Sequence, residues 1–374
     1  MKPFDVVCYE GIEALPASYL PLFETAGQQS FFLSHEWFAN FERTVLKAPD
    51  KARIYGVELA AVPVAALVTR LARRGVGFWT PLRLETLGNY YTSLQGLATA
   101  GEPESGIRSI EALADAIGSG NQLWDVLDLQ PLDEQGLLYR TLPGLLRRQG
   151  FVVQNYFCFG NWYLDVGNRP YADYFAARSS SLRRNIPYYT RKLERNPRSR
   201  IEIITGGEHL ERALQDYEKV YKSSWKIPEP FPEFIPGLVE AATNRGWLRF
   251  GVVYVDGEAA AAQIWIVHAG TASIYKVAYD ARFSKLSVGT ILTAKMMEHV
   301  IDVDRVSVVD YLTGDDEYKE EWMSHRRERR GIVAFNPRRI RGAWQAIRNI
   351  GGRALKTAIS SRRTGTSDGF DAKQ

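Results

Sequence analysis

The chain has 374 residues, with 47 Lys and Arg against 43 Asp and Glu, which gives a formal net charge of +4. Apolar residues make up 45% and aromatic residues 12%, as in packed globular proteins, so a disordered or collagen-like chain is excluded. The length predicts about two domains.

Cysteine and histidine usage bears on metal and disulfide chemistry. Cys8 and Cys158 are the two cysteines, and neither belongs to a CxxC pair. This excludes a disulfide framework and a cysteine-based zinc site. The five histidines form no HxxxH or HExxH pair. We therefore expect no metal cofactor, and only a mixed carboxylate site is left open.

The N-terminal residues are not expected to form a secretory signal. Asp5 and Glu10 interrupt the N-terminal residues, where a secretory signal needs an apolar stretch. The longest apolar run, Leu59–Val68, contains Pro63 and is about half of the roughly 20 residues that a spanning helix needs. We expect a cytoplasmic protein that is soluble or peripheral at the inner membrane.

The first half of the chain alternates between strand and helix patterns. Period-two and helical spacings predict a helix over 38–46, strands over 53–59 and 62–71, a helix over 107–118, a strand over 124–129, a helix over 137–149 and a β-rich stretch over 151–166. Gly150 predicts the end of the last helix.

The second half has a clearer pattern. Leu182, Ile186, Tyr189 and Leu193 form a helical stripe, which Pro187 is expected to kink or break. The predicted elements that follow are a strand over 201–204, helices over 207–222 and 233–244, strands over 248–255, 259–268 and 271–279, a helix over 289–300, a strand over 306–311, a helix over 315–323 and a strand over 331–335. This order predicts a mixed sheet.

Five segments of this half resemble a known family. They are SLRRNIPYYTRKLER (181–195), YKSSW (221–225), DGEAAAAQIWIV (256–267), YKVAYDARFSKLSVGTIL (275–292) and DYLTGDDEYKEEW (310–322). They resemble the GNAT acyltransferase superfamily, in its FemAB-related branch that includes CelD-type proteins of polysaccharide operons. The resemblance implies an α/β fold (an α+β mixed sheet) of tandem GNAT-like domains. We expect a degenerate first copy over 1–160, an acyltransferase domain over 161–336 and a basic amphipathic, partly disordered tail over 337–374.

The resemblance implies a coenzyme A site at the start of a helix. GNAT enzymes hold the pyrophosphate on a Q/R-x-x-G-x-G/A loop, where unpaired N–H groups and the helix dipole favour an anion. The matching residues are Ser287, Val288, Gly289 and Thr290, so a serine replaces the first glycine. Ser287 as a simple helix cap is the alternative.

The resemblance also implies catalytic positions. Asp280 ends a strand where it would orient or deprotonate an amine, although an acid in a strand-end turn is common. Asp310 ends a strand across the expected cleft, with a buried acceptor of backbone N–H groups as the alternative. Tyr318 is the candidate general acid for the leaving thiolate. The oxyanion is expected on backbone N–H groups of Lys276, Val277 and Ala278.

Substrate-binding candidates are basic or aromatic. Arg183 and Arg184, on a basic helix, would contact an anionic acceptor, a donor phosphate or RNA; a solvated helix face is the alternative. Lys319 would bind a phosphate or carboxylate, and Trp225 would line an acyl or acceptor pocket or belong to the core.

A second basic region follows the last strand. Residues 337–363 contain eight Lys and Arg and no Asp or Glu, with Ile340, Trp344 and Ile347 on one helical stripe. A cationic amphipathic helix with a tryptophan is typical of membrane-surface binding. The alternative is a helix docked on the protein body.

We conclude that the sequence predicts an enzyme, an N- or O-acyltransferase that forms no covalent enzyme intermediate. The resemblance implies that the donor is an acyl thioester, with acyl-CoA as co-substrate, and that the acceptor is an amine or hydroxyl of a cell-envelope precursor: an amino sugar, a polysaccharide or a lipid amine. Two alternatives stay open, a Fem-like aminoacyl-tRNA-dependent transferase and a non-catalytic GNAT scaffold in polysaccharide synthesis. No nucleic-acid partner is expected except tRNA in the first of these.

Overall fold

The computed structural model describes residues 4–99, 103–119, 123–224 and 226–350, in which one order of strands and helices occurs twice. The first half comprises β1 (Phe4–Tyr9), α1 (Leu20–Gly27), α2 (His35–Val45), β2 (Lys51–Leu59), β3 (Val62–Arg73), β4 (Leu82–Thr86), β5 (Leu97–Thr99), α3 (Pro103–Gly118), β6 (Val126–Asp133), α4 (Leu137–Arg148) and β7 (Val152–Asp165). Two helices, α5 (Tyr171–Ala176) and α6 (Ser180–Glu194), lead into the second half.

The second half repeats the order β-α-α-β-β-β-α-β-α-β. It comprises β8 (Arg200–Ile204), α7 (Leu210–Lys222), α8 (Phe234–Asn244), β9 (Leu248–Val255), β10 (Glu258–His268), β11 (Thr271–Tyr279), α9 (Val288–Asp302), β12 (Val308–Asp310), α10 (Glu317–Trp322) and β13 (His325–Phe335). A final helix, α11, spans residues 340–350. Each predicted element is thus observed, with bounds shifted by up to six residues, whereas β1, α1, β4, β5 and α5 were not predicted.

All described strands belong to one mixed sheet. Its order is β1-β2-β3-β4-β6-β13-β7-β12-β11-β10-β9-β8, with β5 beside β3. In each half, four strands pair antiparallel and the fourth then pairs parallel with the fifth: β4 with β6, and β11 with β12. The two halves therefore share one topology, as the predicted tandem arrangement requires.

The last strand of each half is exchanged. β7 of the first half pairs with β12 and with β13 of the second half, and β13 also pairs with β6 of the first half. The boundary expected between residues 160 and 161 falls within β7. The division of the chain into 1–160 and 161–336 stays a prediction.

Helices cover both faces of the sheet. On one face, α1, α2, α7 and α8 enclose a hydrophobic core that spans both halves. Phe234 of α8 stacks on Tyr91 at 4.1 Å between ring centroids and meets the edge of Trp37 at 5.5 Å. Each such pair adds about 0.5–1.5 kcal/mol to the burial of its rings. On the other face, α3 and α4 cover the first half, and α5, α6 and α9 cover the second.

Helix α6 corrects one expectation. It runs without a break from Ser180 to Glu194 through Pro187. The side chain of Ser179 caps it by accepting the N–H of Leu182, and Leu182 and Ile186 are buried. Burial of this apolar stripe outweighs the single intrahelical hydrogen bond that a proline removes.

Candidate functional site

A cleft opens where β11 and β12 diverge. The two parallel strands pair only over Thr271–Ser273 and Val308–Asp310. Beyond Ser273, β11 continues for six residues and pairs with β10 on its other edge. The backbone groups on its free edge therefore face a cleft.

The register of β11 identifies the residue whose backbone faces this cleft. The N–H of Asp280, directly after β11, donates to the carbonyl of Ala260 in β10 at 2.9 Å. Successive residues of a strand point their backbone groups to opposite edges. Ala278 and Lys276 therefore face β10, and Val277 faces the cleft. Of the three residues predicted to hold an oxyanion, Val277 is the one whose backbone N–H points into the cleft.

A cavity of about 340 Å³ occupies the cleft. Its walls come from β11, from the segment after β12, from α10 and from the first half of the chain. Lys276, Val277, Tyr318 and Lys319 line it, so the structure brings these four predicted residues together.

Lys226, which the sequence pattern did not single out, also lines the cavity. Its ammonium group donates to the carbonyl oxygen of Val277 at 2.5 Å. Burial, with a contribution from the neighbouring charge of Lys276, lowers the pKa of Lys226 to about 8. A lysine with this pKa is partly neutral near physiological pH and can accept a proton.

The other two lysines of the cavity have carboxylate partners. Lys276 lies 2.6 Å from Glu229, and Lys319 lies 3.1 Å from Asp316 and donates to the carbonyl of Thr313 at 2.5 Å. Burial lowers the pKa of both lysines, opposed by these carboxylates. Lys319 is held by a tight loop, because Gly314 has a φ of 106° and a Cβ there would lie 3.0 Å from the Lys319 ammonium.

Tyr318 is suited to donate a proton. Its ring meets the edge of Tyr311 with centroids 5.6 Å apart. Burial of the hydroxyl, and secondly the charge of Asp316, raise the pKa of Tyr318 to about 12, although the residue as a whole is 47% exposed. The hydroxyl therefore stays protonated at neutral pH.

The first half contributes Tyr90 and Tyr91 to the same cavity. Both hydroxyls donate to Glu229, which also pairs with Lys276. Burial alone would raise the pKa of Glu229, but Lys276, and secondly the hydroxyl of Tyr91, lower it below its ordinary value. Glu229 belongs to the proline-rich loop, whereas no local pattern marks Tyr90 and Tyr91, because they approach the site only through the fold.

The start of α9 has the features of an anion site. Ser287 occupies the N-cap position with a φ of 52°, and its side chain makes no capping hydrogen bond. The first N–H groups of a helix have no partner within the helix. Gly289 packs against Tyr279 of β11, and a Cβ there would lie 3.3 Å from the tyrosine ring. Val288 is fully buried and Thr290 is partly exposed.

Asp280 lies outside the cavity. It is 3% exposed and caps the short helical turn Ala281–Leu286 by accepting the N–H of Arg282 at 2.8 Å. The side chain of Arg282, which pairs with it at 2.8 Å, lowers the pKa of Asp280. The structure gives this carboxylate a capping contact, and its catalytic role stays a prediction.

Asp310 also lies outside the cavity, among the exchanged strands. It accepts hydrogen bonds from the N–H of Leu312 at 2.7 Å and from Asn161 at 2.6 Å, and it pairs with Arg327. These residues line a second cavity of about 470 Å³, between the two halves. The catalytic role of Asp310 likewise stays a prediction.

The remaining predicted residues lie elsewhere. Arg183 and Arg184 are exposed on α6 and do not line the cavity. Trp225 lies outside the described residues. In the part of the chain that the structure describes, no three His, Cys, Asp or Glu side chains lie close enough together to hold a metal ion. No helix there is long and apolar enough to cross a bilayer.

The family model of the acetyltransferase (GNAT) domain matches residues 180–320, which contain β11, α9 and the cavity lysines. In this segment the chain is similar to the GNAT domain, and the protein is an acyltransferase, as the sequence predicted. No curated protein matches the chain in sequence.

Solved structures of similar fold cover most of the chain. FemX superposes with a TM-score of 0.59 at 8% identity, over 83% of this chain and 95% of its own. A conserved protein of unknown function from Bacteroides thetaiotaomicron VPI-5482 superposes with a TM-score of 0.53 at 9% identity, over 90% of this chain and 100% of its own. These similarities concern the fold. The predicted resemblance to the GNAT superfamily, in its FemAB-related branch, is confirmed at that level.

Proposed function

We propose that the cavity between β11 and β12 is an acyl-transfer site that takes an acyl group from acyl-CoA. The observation that supports this most strongly is the juxtaposition of three features: the free edge of β11 at Val277, a proton donor and a proton acceptor beside it, and the start of α9 at the far end of the same strand. Acyl-CoA needs the first feature for its thioester carbonyl, the second for the proton transfers at the reacting groups and the third for its pyrophosphate.

The residues at the start of α9 fit a pyrophosphate. Val288, Gly289 and Thr290 would hold it through their backbone N–H groups and Ser287 through its hydroxyl, because the helix dipole favours negative charge there and the N–H of Ser287 already donates to the carbonyl of Ser284 at 3.0 Å. Ser287 leaves these groups uncapped. The absence of a side chain at Gly289 keeps the backbone accessible beside Tyr279.

Two side chains of the cavity would then carry out the two proton transfers of the reaction. An amine of the acceptor attacks the thioester carbon, the carbon–sulfur bond breaks, and no enzyme group is acylated. The N–H of Val277 donates to the oxygen on which charge develops. Lys226 in its neutral form takes the proton that the amine loses. Tyr318 gives its proton to the leaving sulfur and is reprotonated from solvent.

We propose that the acceptor is an amine or hydroxyl of a cell-envelope precursor: an amino sugar, a polysaccharide or a lipid amine. The charged cavity supports a polar acceptor, and Lys319, which lines it, would bind a phosphate or carboxylate of that acceptor. Arg183 and Arg184 offer further positive charge on exposed α6. The envelope assignment rests on the family resemblance. We also propose that the protein acts as a peripheral protein at the inner membrane.

The test is calorimetric titration of the full chain with coenzyme A, acetyl-CoA and a long-chain acyl-CoA. We expect binding, and we expect Gly289→Glu to weaken it by about tenfold or more, because a carboxylate would meet the phosphates. Thr243→Glu, on α8, is the matched control and should bind normally. If none of the three ligands binds, the acyl-CoA proposal is wrong. Binding of aminoacyl-tRNA with a steep salt dependence would then favour the Fem-like alternative.

A further inference from the structure

Helix α11 is docked on the protein with its apolar stripe facing outward. Its contact with the body is made by small residues: Gly342 and Ala346 are buried. A Cβ at Gly342 would lie 2.7 Å from the carbonyl oxygen of Asp125, so the helix approaches the body very closely there. Ile340, Trp344 and Ile347, the stripe seen in the sequence, are 68%, 45% and 65% exposed. Docking therefore does not explain this stripe.

A loop of the first half extends the same apolar surface. It connects β3 to β4, and its Val76, Phe78 and Trp79 are 101%, 69% and 50% exposed. The rings of Trp79 and Trp344 lie 5.9 Å apart. Two segments more than 250 positions apart in the sequence thus expose large apolar side chains side by side.

The surface is cationic as well as apolar. Arg341 donates to the carbonyl oxygen of Phe78 at 2.7 Å, and its guanidinium lies 5.1 Å from the ring of that residue. Arg348 is exposed on α11. Neither the 71–81 segment nor the 337–363 segment contains an Asp or Glu, and the sequence after α11 adds Arg353, Lys356, Arg362 and Arg363.

We propose that the loop 76–79 and the outer face of α11 together form a docking surface for an anionic lipid bilayer. Tryptophan and phenylalanine favour the boundary between headgroups and acyl chains, and arginines beside them attract anionic headgroups. A protein partner would need an apolar patch of matching size with acidic residues opposite the arginines. An anionic membrane supplies both an apolar interior and negative charge. None of these residues lines the acyl-transfer cavity, so the surface can be tested independently of the enzyme's chemistry.

The experiment is flotation of the full chain with vesicles of phosphatidylcholine alone and of phosphatidylcholine mixed equally with phosphatidylglycerol. We expect binding to the mixed vesicles and little to the neutral ones. Phe78→Ser with Trp79→Ser, and separately Trp344→Ser with Ile347→Ser, should each weaken binding by about tenfold or more. Arg348→Glu should weaken it by about fivefold or more. Val303→Ser is the matched control, because Val303 is 66% exposed on another helix end.

Other outcomes would overturn the proposal. If the full chain fails to float with anionic vesicles, no such docking occurs. If both double variants float like the wild type while removal of residues 351–374 abolishes flotation, the tail alone binds. If the double variants instead convert a dimer to a monomer in light scattering, a second copy of the chain covers the surface. Circular dichroism of each variant verifies that it is folded, and unchanged coenzyme A binding separates this result from the donor site.

Discussion

The ammonium nitrogen of Lys226 lies 2.5 Å from the carbonyl oxygen of Val277, at the free edge of β11. This contact fixes a titratable amine beside the backbone N–H that we assign to the oxyanion. Because burial lowers the pKa of Lys226 to about 8, its charge state changes within the working range of an enzyme.

Turnover should therefore rise as the pH passes through about 8, where Lys226 becomes neutral and can accept a proton. Lys226→Gln removes the acceptor and should remove this step from the pH profile of kcat, with a loss of roughly 100-fold at the plateau. Lys226→Arg keeps a charged donor that cannot lose its proton, and it should be equally slow. An unchanged pH profile in both variants would show that another group accepts the proton.

The same pKa predicts a stability difference. Between about 8 and the ordinary value of 10.5, Lys226 is neutral in the folded chain but charged in the unfolded one. The unfolded state then binds more protons, so the free energy of unfolding contributed by this residue rises with pH across that window. Urea unfolding of the wild type and Lys226→Gln at several pH values should show this divergence. Parallel curves for the two proteins would contradict the lowered pKa.

Tyr318→Phe should lower kcat by roughly 100-fold while the affinity for acyl-CoA stays within about threefold, because the hydroxyl acts on the leaving sulfur and not on the phosphates. The matched control is Tyr188→Phe on α6, whose tyrosine is 55% exposed and lies away from the cavity lining. Steady-state kinetics with a thiol-release assay measure both. Full activity in Tyr318→Phe would remove the residue from the mechanism.

Ser287→Gly should stabilise the protein by about 0.5–1 kcal/mol. Ser287 has a φ of 52°, in the left-handed region that favours glycine, and its side chain makes no capping bond that would be lost. A higher thermal midpoint, with coenzyme A binding retained, is the expected result. Thermal unfolding of Ser284→Gly, nearby in the same turn, is the comparison. Destabilisation by Ser287→Gly would mean that the serine hydroxyl makes a contact that contributes more stability than relief of the left-handed conformation gains.

Asp310→Asn should cost about 1–3 kcal/mol of stability, because Arg327 would lose its carboxylate among the exchanged strands. A purely structural role, outside the transfer cavity, would leave turnover per folded molecule within about threefold of the wild type, whereas the predicted catalytic role would lower it further. Chemical unfolding together with kinetics distinguishes the two roles. A large loss of turnover at unchanged stability would support the catalytic role predicted from the sequence.

Local patterns predicted the strands and helices of this chain well, because each is determined by the spacing of its own apolar residues. The hairpin between β2 and β3 is an example: Ala60 and Ala61 both have positive φ, 55° and 64°, and the two strands were placed correctly on either side. Pro187 shows the limit of a local rule, since burial of the α6 stripe keeps the helix continuous.

The candidate site was only partly predictable. Lys276, Val277, Tyr318 and Lys319 belong to segments that resemble the family, and the structure brings them into one cavity. Tyr90 and Tyr91 reach it from the first half, more than 180 positions away from β11, so nothing near them in sequence marks their place. The exchange of β7 and β13 is equally long-range and leaves no periodic signal.

That exchange has a consequence for how the two copies depend on each other. A fragment that ends before β13 would leave β6 and β7 without the strand that joins them, and a fragment that begins after β7 would leave β12 with an open edge. Neither copy can therefore be cut away without exposing the other. Even without a coenzyme A-binding loop of its own, the first half would remain indispensable. It closes the sheet of the second half, and it contributes Tyr90 and Tyr91 to the cavity between β11 and β12.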